Sequence, residues 1–177
     1  ACLVVEAFVE SPKTSSNDWV VRGRPTDRAL LLSAVENGLR KEELEEKEPR
    51  IEFLSFDPVS KHSASLHRVS SEENILYVLG AAEKILALSQ SFQVSDLPRS
   101  FNTGEREALN NKIDELAKKG ERVLAVAFRR CLAEEADLKD LVGGLTFAGL
   151  ISLGDPIRKD VKEAMNICRQ AGIRPII

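Results

Sequence analysis

Apolar and polar residues follow two rhythms along this chain. Unbroken β-branched runs or period-two alternation predict strands at Ala1–Val9, Ile51–Phe56, His62–Val69, Ile75–Leu79, Arg122–Arg130 and Leu145–Leu153. A short strand or turn is predicted over Asp18–Val21, which carries the only Trp. Apolar stripes at helical spacing predict a helix opening at Pro25-Thr26-Asp27, with Leu30, Leu31, Ala34 and Val35 inward and Gly38 as its stop. Thr26 or Asp27 is the expected cap. A short helix is expected after Gly80-Ala81-Ala82-Glu83, and longer ones over Glu107–Lys119 and Asp160–Ala171. Asn102 and Glu105 have capping-box spacing, and Gly120 and Gly172 are natural helix ends. Arg40–Arg50, dense in both signs of charge, reads as a solvated helix before a Pro stop.

Glu10–Asn17 and Ser89–Phe101 read as polar connections, and Cys131–Val142 as a variable excursion that allows a short helix. Ser70–Asn74 is a turn between two strands, which predicts an antiparallel hairpin. Up to Gly144 the pattern is α+β, an antiparallel sheet flanked by helices. From Leu145 to Ile177 it reads strand, helix, then the beginning of a strand at Ile173, a βαβ piece.

Composition narrows the function classes. The 177 residues are 43% hydrophobic and 30% charged, with a formal net charge of −3. The sequence pI is about 5.6 and the mean hydropathy −0.17. An acidic balance disfavours nucleic acid as a partner. No apolar run approaches the ~18 residues of a membrane span. The first run has no basic segment ahead of it, so no signal peptide is expected. Cys2, Cys131 and Cys168 lie far apart without C-x-x-C spacing, which predicts free thiols and no metal site. His62 and His67, five apart on one strand, point to opposite faces and cannot share a metal.

Five motifs, in order, resemble P-type cation-transporting ATPases, and the resemblance covers nearly the whole chain. Gly23-Arg24-Pro25-Thr26-Asp27-Arg28-Ala29-Leu30 is similar to the family's G-x-P-T-E-x-A-L, with Asp27 in place of Glu. Phe56-Asp57-Pro58-Val59-Ser60-Lys61 resembles F-x-x-x-x-K, and Leu79-Gly80-Ala81-Ala82-Glu83 resembles K-G-A-P-E. Gly120–Ala127 resembles G-x-R-V-L-A-x-A. Leu145–Ile177 resembles the stretch that leaves the nucleotide-binding domain, with Asp155-Pro156-Ile157-Arg158 at D-P-P-R.

The resemblance implies a nucleotide-binding domain over residues 1–153. Residues 154–177 would then be a hinge and the start of the second half of a phosphorylation domain. The implied cofactors are ATP, with Mg2+ in the full-length enzyme. The implied protein partners are the phosphorylation, actuator and membrane domains of a parent chain, at the cytoplasmic face of a membrane. The piece itself is expected to be monomeric. The family's phosphorylated Asp lies in D-K-T-G-T, which these residues do not contain, so no catalytic residue is expected here.

The ATP-binding residues so implied are Asp27, Phe56, Lys61, Gly80, Ala81, Arg122 and Leu124, with Asp155 and Arg158 at the hinge. Phe56 offers an aromatic face to adenine, stacking worth ~1–3 kcal/mol; an aromatic at a strand end otherwise packs inward. Asp27 would accept the adenine amino group's hydrogen bond, or simply open a helix. Lys61 and Arg122 suit phosphate, or ordinary surface ion pairs. Gly80 and Ala81 let backbone approach a base, and Leu124 would pack beneath it. At the hinge, the alternative is a helix start with Asp155 as cap and Pro156 in the first turn. Leu79 replaces the lysine of K-G-A-P-E, and Pro58 stands where some members carry arginine. Both remove charge, so weak binding near ~1 mM, about 4 kcal/mol, is expected. The alternative is a regulatory or scaffolding α+β module without nucleotide binding. The motif details lie nearer the calcium and sodium/potassium branches than the heavy-metal branch.

Overall fold

The computed structural model describes residues 1–10, 20–95, 97–134, 138–174 and 176, with backbone alone at 139. In chain order the elements are a 3-10 turn at Cys2–Val4, β1 (Phe8–Glu10), β2 (Val20–Arg22), α1 (Pro25–Glu36), α2 (Lys41–Lys47), β3 (Arg50–Asp57), β4 (His62–Arg68) and β5 (Glu73–Ala81). There follow α3 (Ala82–Leu88), β6 (Ser89–Val94), β7 (Leu97–Ser100), α4 (Thr103–Lys118), β8 (Arg122–Leu132), α5 (Leu138–Leu141), β9 (Leu145–Leu153) and α6 (Val161–Gln170).

Among the described residues β3 to β9 form one sheet in the order β3-β4-β5-β8-β9-β6-β7. Every neighbouring pair is antiparallel except β6 with β9. β1 and β2 make a separate two-stranded ribbon. The fold class is thus the α+β sheet flanked by helices that the pattern predicts.

Period-two patterning in β5 and β8 splits the core into two layers. Leu76, Val78, Ala125 and Ala127 pack with Ile85 and Leu86 of α3, Ile113 of α4 and Leu138 and Leu141 of α5. On the other layer, Tyr77, Leu79, Leu124 and Val126 meet Leu30 and Leu31 of α1 and the run Cys2–Val5. The small Ala64, Ala125 and Ala127 let helices sit close to the sheet.

Several expectations are corrected. Ala1–Val9 is not one strand: the chain turns at Cys2–Val4, and only Phe8–Glu10 pairs. The Val5 and Ala7 carbonyls instead accept from Lys41 Nζ at 2.7 and 3.1 Å, a side chain replacing a strand partner. Lys41 therefore leaves the solvated surface predicted for α2 and is 7% exposed. Burial pulls its pKa below the ordinary lysine value, against the nearby Glu45 charge.

Ser89–Phe101 is not a loop throughout: it carries β6 and β7, which pair antiparallel. Ser89 and Ser91 turn toward neighbouring elements: Ser89 Oγ donates to Ile85 O at 2.7 Å, and Ser91 Oγ lies 3.0 Å from Thr146 Oγ1. Phe92, Phe101 and Phe147 cluster with ring centroids 5.0 and 6.1 Å apart in succession. α1 begins with Arg24 as its cap residue and Pro25 in first helical position, so Thr26 and Asp27 lie in the first turn and neither caps. The capping box at Asn102 and Glu105 forms.

The βαβ piece is incomplete. β9 lies in the main sheet and α6 follows it, but residues 173, 174 and 176 form no strand; 175 and 177 lie outside the described residues, as do the Glu10–Asn17 loop beyond Glu10 and Trp19. The α6 start is Val161, so Asp155 and Pro156 do not open a helix. Cys2 and Cys131 are buried and Cys168 is half-buried, and the Cys131 thiol donates to Asn74 O at 3.6 Å. His67 donates Nδ1–H to Glu48 O at 2.8 Å, and its Nε2 lies 3.0 Å from Ser65 Oγ.

Candidate functional site

Sheet register gathers the motifs at one end. The β3–β4 turn, the end of β5 and the start of β8 meet there because Gly80 pairs with both His62 and Ala125, and Ala81 with Leu124. The first turn of α1 closes one side and that of α3 supplies Glu83. A cleft of about 900 Å³ results, lined by Arg24–Asp27, Phe56, Pro58, Lys61, Ser63, Leu79–Ala81, Glu83 and Arg122–Leu124. That volume lies in the usual range for a small-ligand site.

All seven sequence-predicted site residues, Asp27, Phe56, Lys61, Gly80, Ala81, Arg122 and Leu124, line this one cleft. Phe56, near the end of β3, is 46% exposed and lines the cleft. Asp57 sets the turn that follows: its carboxylate accepts from Ser60 N–H at 2.8 Å and its carbonyl from Lys61 N–H at 2.7 Å. The Ser60 backbone bond, first, and its side chain hold the Asp57 pKa below the ordinary value.

Lys61 sits at φ 56, a left-handed conformation unusual for a side-chain-bearing residue. The turn directs its Nζ to 3.9 Å from Glu83. The geometry explains Gly80 differently from close approach to a base. A Cβ there would stand 2.5 Å from Lys61 O and 2.7 Å from His62 Cβ, so glycine is required by the adjacent strand. Ala81 N–H then donates to the same Lys61 carbonyl at 3.0 Å.

Arg122 opens β8 and gives Nη1 to Thr26 Oγ1 at 3.0 Å. Asp27 is half-buried, and desolvation raises its pKa, opposed by Arg24 and reinforced by Glu6. The backbone N–H of Glu6 also donates to the Asp27 carboxylate. Leu79 is 5% exposed and packs into the core layer beneath the cleft, adding apolar floor rather than a charge. Leu124 lies beside it, half-buried.

Asp155 and Arg158 are exposed and do not join the cleft. Arg158 instead forks onto Asp160, Nε to Oδ1 at 3.2 Å and Nη2 to Oδ2 at 2.7 Å. Sequence reasoning missed Arg24, Glu83 and Glu6. Arg24 and Glu83 fall inside quoted motifs, so their place in the cleft follows once the motifs converge. Glu6 carries no such signal, since its role depends on contacts with Arg24 and Ser55.

Among the described residues no three His, Cys, Asp or Glu gather as a metal site. No helix there is long and apolar enough to cross a membrane.

An α+β unit that draws four of the five sequence motifs to one cleft at a sheet end defines the class. Residues 1–160 match the family described as P-type ATPase, cytoplasmic domain N, and the chain belongs to that family. It is 32% identical over 160 residues to the cation-transporting ATPase pma1 of Synechocystis sp., covering 89% of this chain and 17% of that protein. It is 31% identical over 165 residues to the human sodium/potassium-transporting ATPase subunit alpha-4, covering 88% and 16%. It is 27% identical over 175 residues to calcium-transporting ATPase 1 of Bacillus cereus, covering 99% and 20%. The chain thus spans about a fifth or less of the length of these relatives.

Proposed function

We propose that this chain is the ATP-binding cytosolic domain of a P-type cation-transporting ATPase. It holds ATP for phosphoryl transfer to an aspartate outside these residues, and so serves ion transport across a membrane by the parent enzyme. In this reading residues 1–153 are the nucleotide domain, and 154–177 lead through Asp155 and Arg158 into the phosphorylation domain. Actuator and membrane domains are the other partners in the parent chain. The chain by itself binds ATP without turnover.

The observation that carries the proposal is the convergence of Asp27, Phe56, Lys61, Gly80, Ala81, Arg122 and Leu124 on one cleft. The residues fit the ligand. A half-exposed ring and two leucines offer a purine stacking and apolar contact. The Asp27 carboxylate can accept from an exocyclic amine, and Lys61 and Arg122 can donate to phosphate. Mg2+ would arrive on the ATP phosphates as part of the substrate. ATP contributes the transferable phosphoryl group; the chain binds the base, orients the tail and shields the Phe56 face from water.

Titration of the chain with ATP, followed by amide and side-chain NMR shifts, tests this. The expected result is weak saturable binding near ~1 mM, with shifts gathered at Phe56, Lys61, Gly80 and Arg122. Absence of such shifts at 10 mM ATP would favour the scaffolding module, to which the uncharged Leu79 also points.

A further inference from the structure

Leu79 and Pro58 bring no charge to the cleft, so its lining cations are Arg24, Lys61 and Arg122. Lys61 and Arg122 already figure in the nucleotide reading, while Arg24 has no role in it. Arg24 precedes Pro25, whose ring fixes the following φ, and its own backbone is extended at φ −64 and ψ 152. Its guanidinium Nη2 donates to Glu6 Oε2. The other oxygen of that carboxylate accepts from Ser55 Oγ at 3.1 Å, next to Phe56. Glu6 therefore ties the Arg24 side of the cleft to the β3 side, and steadies the guanidinium at the cleft margin. A guanidinium carries five N–H donors in a planar fork, and the Glu6 bond engages one of its nitrogens.

We propose that Arg24 is a binding residue for the phosphate chain of the nucleotide, acting beside Arg122 and Lys61 while Glu6 holds it in place. The inference rests on the nucleotide reading above. Arg24 is an exposed arginine, so its substitution leaves the two core layers intact. A fork held by one carboxylate can add contacts to a second set of oxygens without moving its stem.

The test compares ATP with adenosine, by titration calorimetry or NMR, for the unsubstituted chain, Arg24→Gln and Arg24→Lys. Arg24→Gln is expected to weaken ATP on the order of fivefold, as for one partly exposed charge-assisted contact, and to leave adenosine within twofold. Arg24→Lys keeps the charge and recovers part of the loss. Thermal melting of each variant separates this from unfolding. Equal weakening of ATP and adenosine, or ATP affinity unchanged in Arg24→Gln, overturns the assignment while leaving the nucleotide reading intact. An unsubstituted chain that binds neither ligand overturns both.

Discussion

Arg122 Nη1 donates to Thr26 Oγ1 at 3.0 Å, across 96 positions of sequence. The bond joins the first turn of α1 to the first residue of β8, two elements that share no strand pairing. It keeps a guanidinium at the cleft, and it uses the hydroxyl of Thr26, which in the first turn of α1 does not cap the helix. Arg122 is thus oriented by the protein before any ligand arrives, which lowers the ordering cost of binding.

Thr26→Val keeps the shape of residue 26 and removes the acceptor. It is expected to weaken ATP about two- to threefold and to cost under ~1 kcal/mol of stability, because the bond is exposed. Arg122→Gln should weaken ATP on the order of tenfold. Titration calorimetry with chemical denaturation of both variants checks this. A Thr26→Val effect equal to that of Arg122→Gln would mean that the hydroxyl itself contacts the ligand.

Phe56 contributes through a face left open to solvent, so its removal separates binding from folding. Phe56→Ala is expected to lose ~1–3 kcal/mol of adenosine and ATP binding alike. Its melting temperature should stay within a few degrees, since the residue is 46% exposed. A collapse of stability in that variant would identify the ring as core and remove the stacking argument.

Gly80 and Lys61 form a matched pair. Gly80→Ala places a methyl group 2.5 Å from Lys61 O, where backbone must shift. The expected cost is ~1–3 kcal/mol in denaturant unfolding, the range of overpacked sites. Lys61→Gly relieves the positive φ and should be neutral or slightly stabilising, while ATP weakens. Denaturation of both variants checks the pair, and equal destabilisation by the two would contradict it.

How legible this was differs by element. β3, β4, β5, β8 and β9 announce themselves, because their side chains alternate or run apolar where both sheet faces are covered. Ser89–Val94 does not, since Ser and Gln dominate the run and its place is set by parallel pairing with β9, a long-range event. Cys2–Val5 misleads in the opposite sense: its apolar residues fill the core layer against α1 and α2 without pairing. The cleft residues were legible as motifs in order, but not the reason glycine stands at 80, which lies in the neighbouring strand. Glu6 and Lys41 were illegible because each acts through partners many residues away.

Lys41 offers a test of that last kind. Its Nζ serves the Val5 and Ala7 carbonyls, so Lys41→Met fills the space and leaves both acceptors without that donor. The expected loss is ~1–3 kcal/mol of stability, as for buried unsatisfied groups. Amide exchange would show it as faster opening of the Cys2–Val5 run. A variant as stable as the parent would mean that packing of the stem, not the bonds, is what matters.

Asp27 joins binding to pH. Burial raises its pKa, Glu6 adds to the rise, and Arg24 and Lys41 oppose it. These are the charged groups acting on it. If its ionised carboxylate accepts from the adenine amino group, adenosine affinity is full above the raised pKa and falls as pH drops through it. That loss should begin at a higher pH than for an ordinary aspartate. Stability runs the other way. A carboxyl group with a raised folded pKa stabilises fully below its unfolded pKa, and this is lost as pH rises through the folded value. Asp27→Asn still accepts the Glu6 N–H but carries no charge to desolvate. It is therefore expected to melt at or slightly above the parent temperature at neutral pH, to bind adenosine several-fold more weakly, and to lose the acid dependence of binding. Adenosine titrations from pH 4 to 7 with parallel melting curves decide it, and an unchanged acid profile in Asp27→Asn would assign the titration to another group.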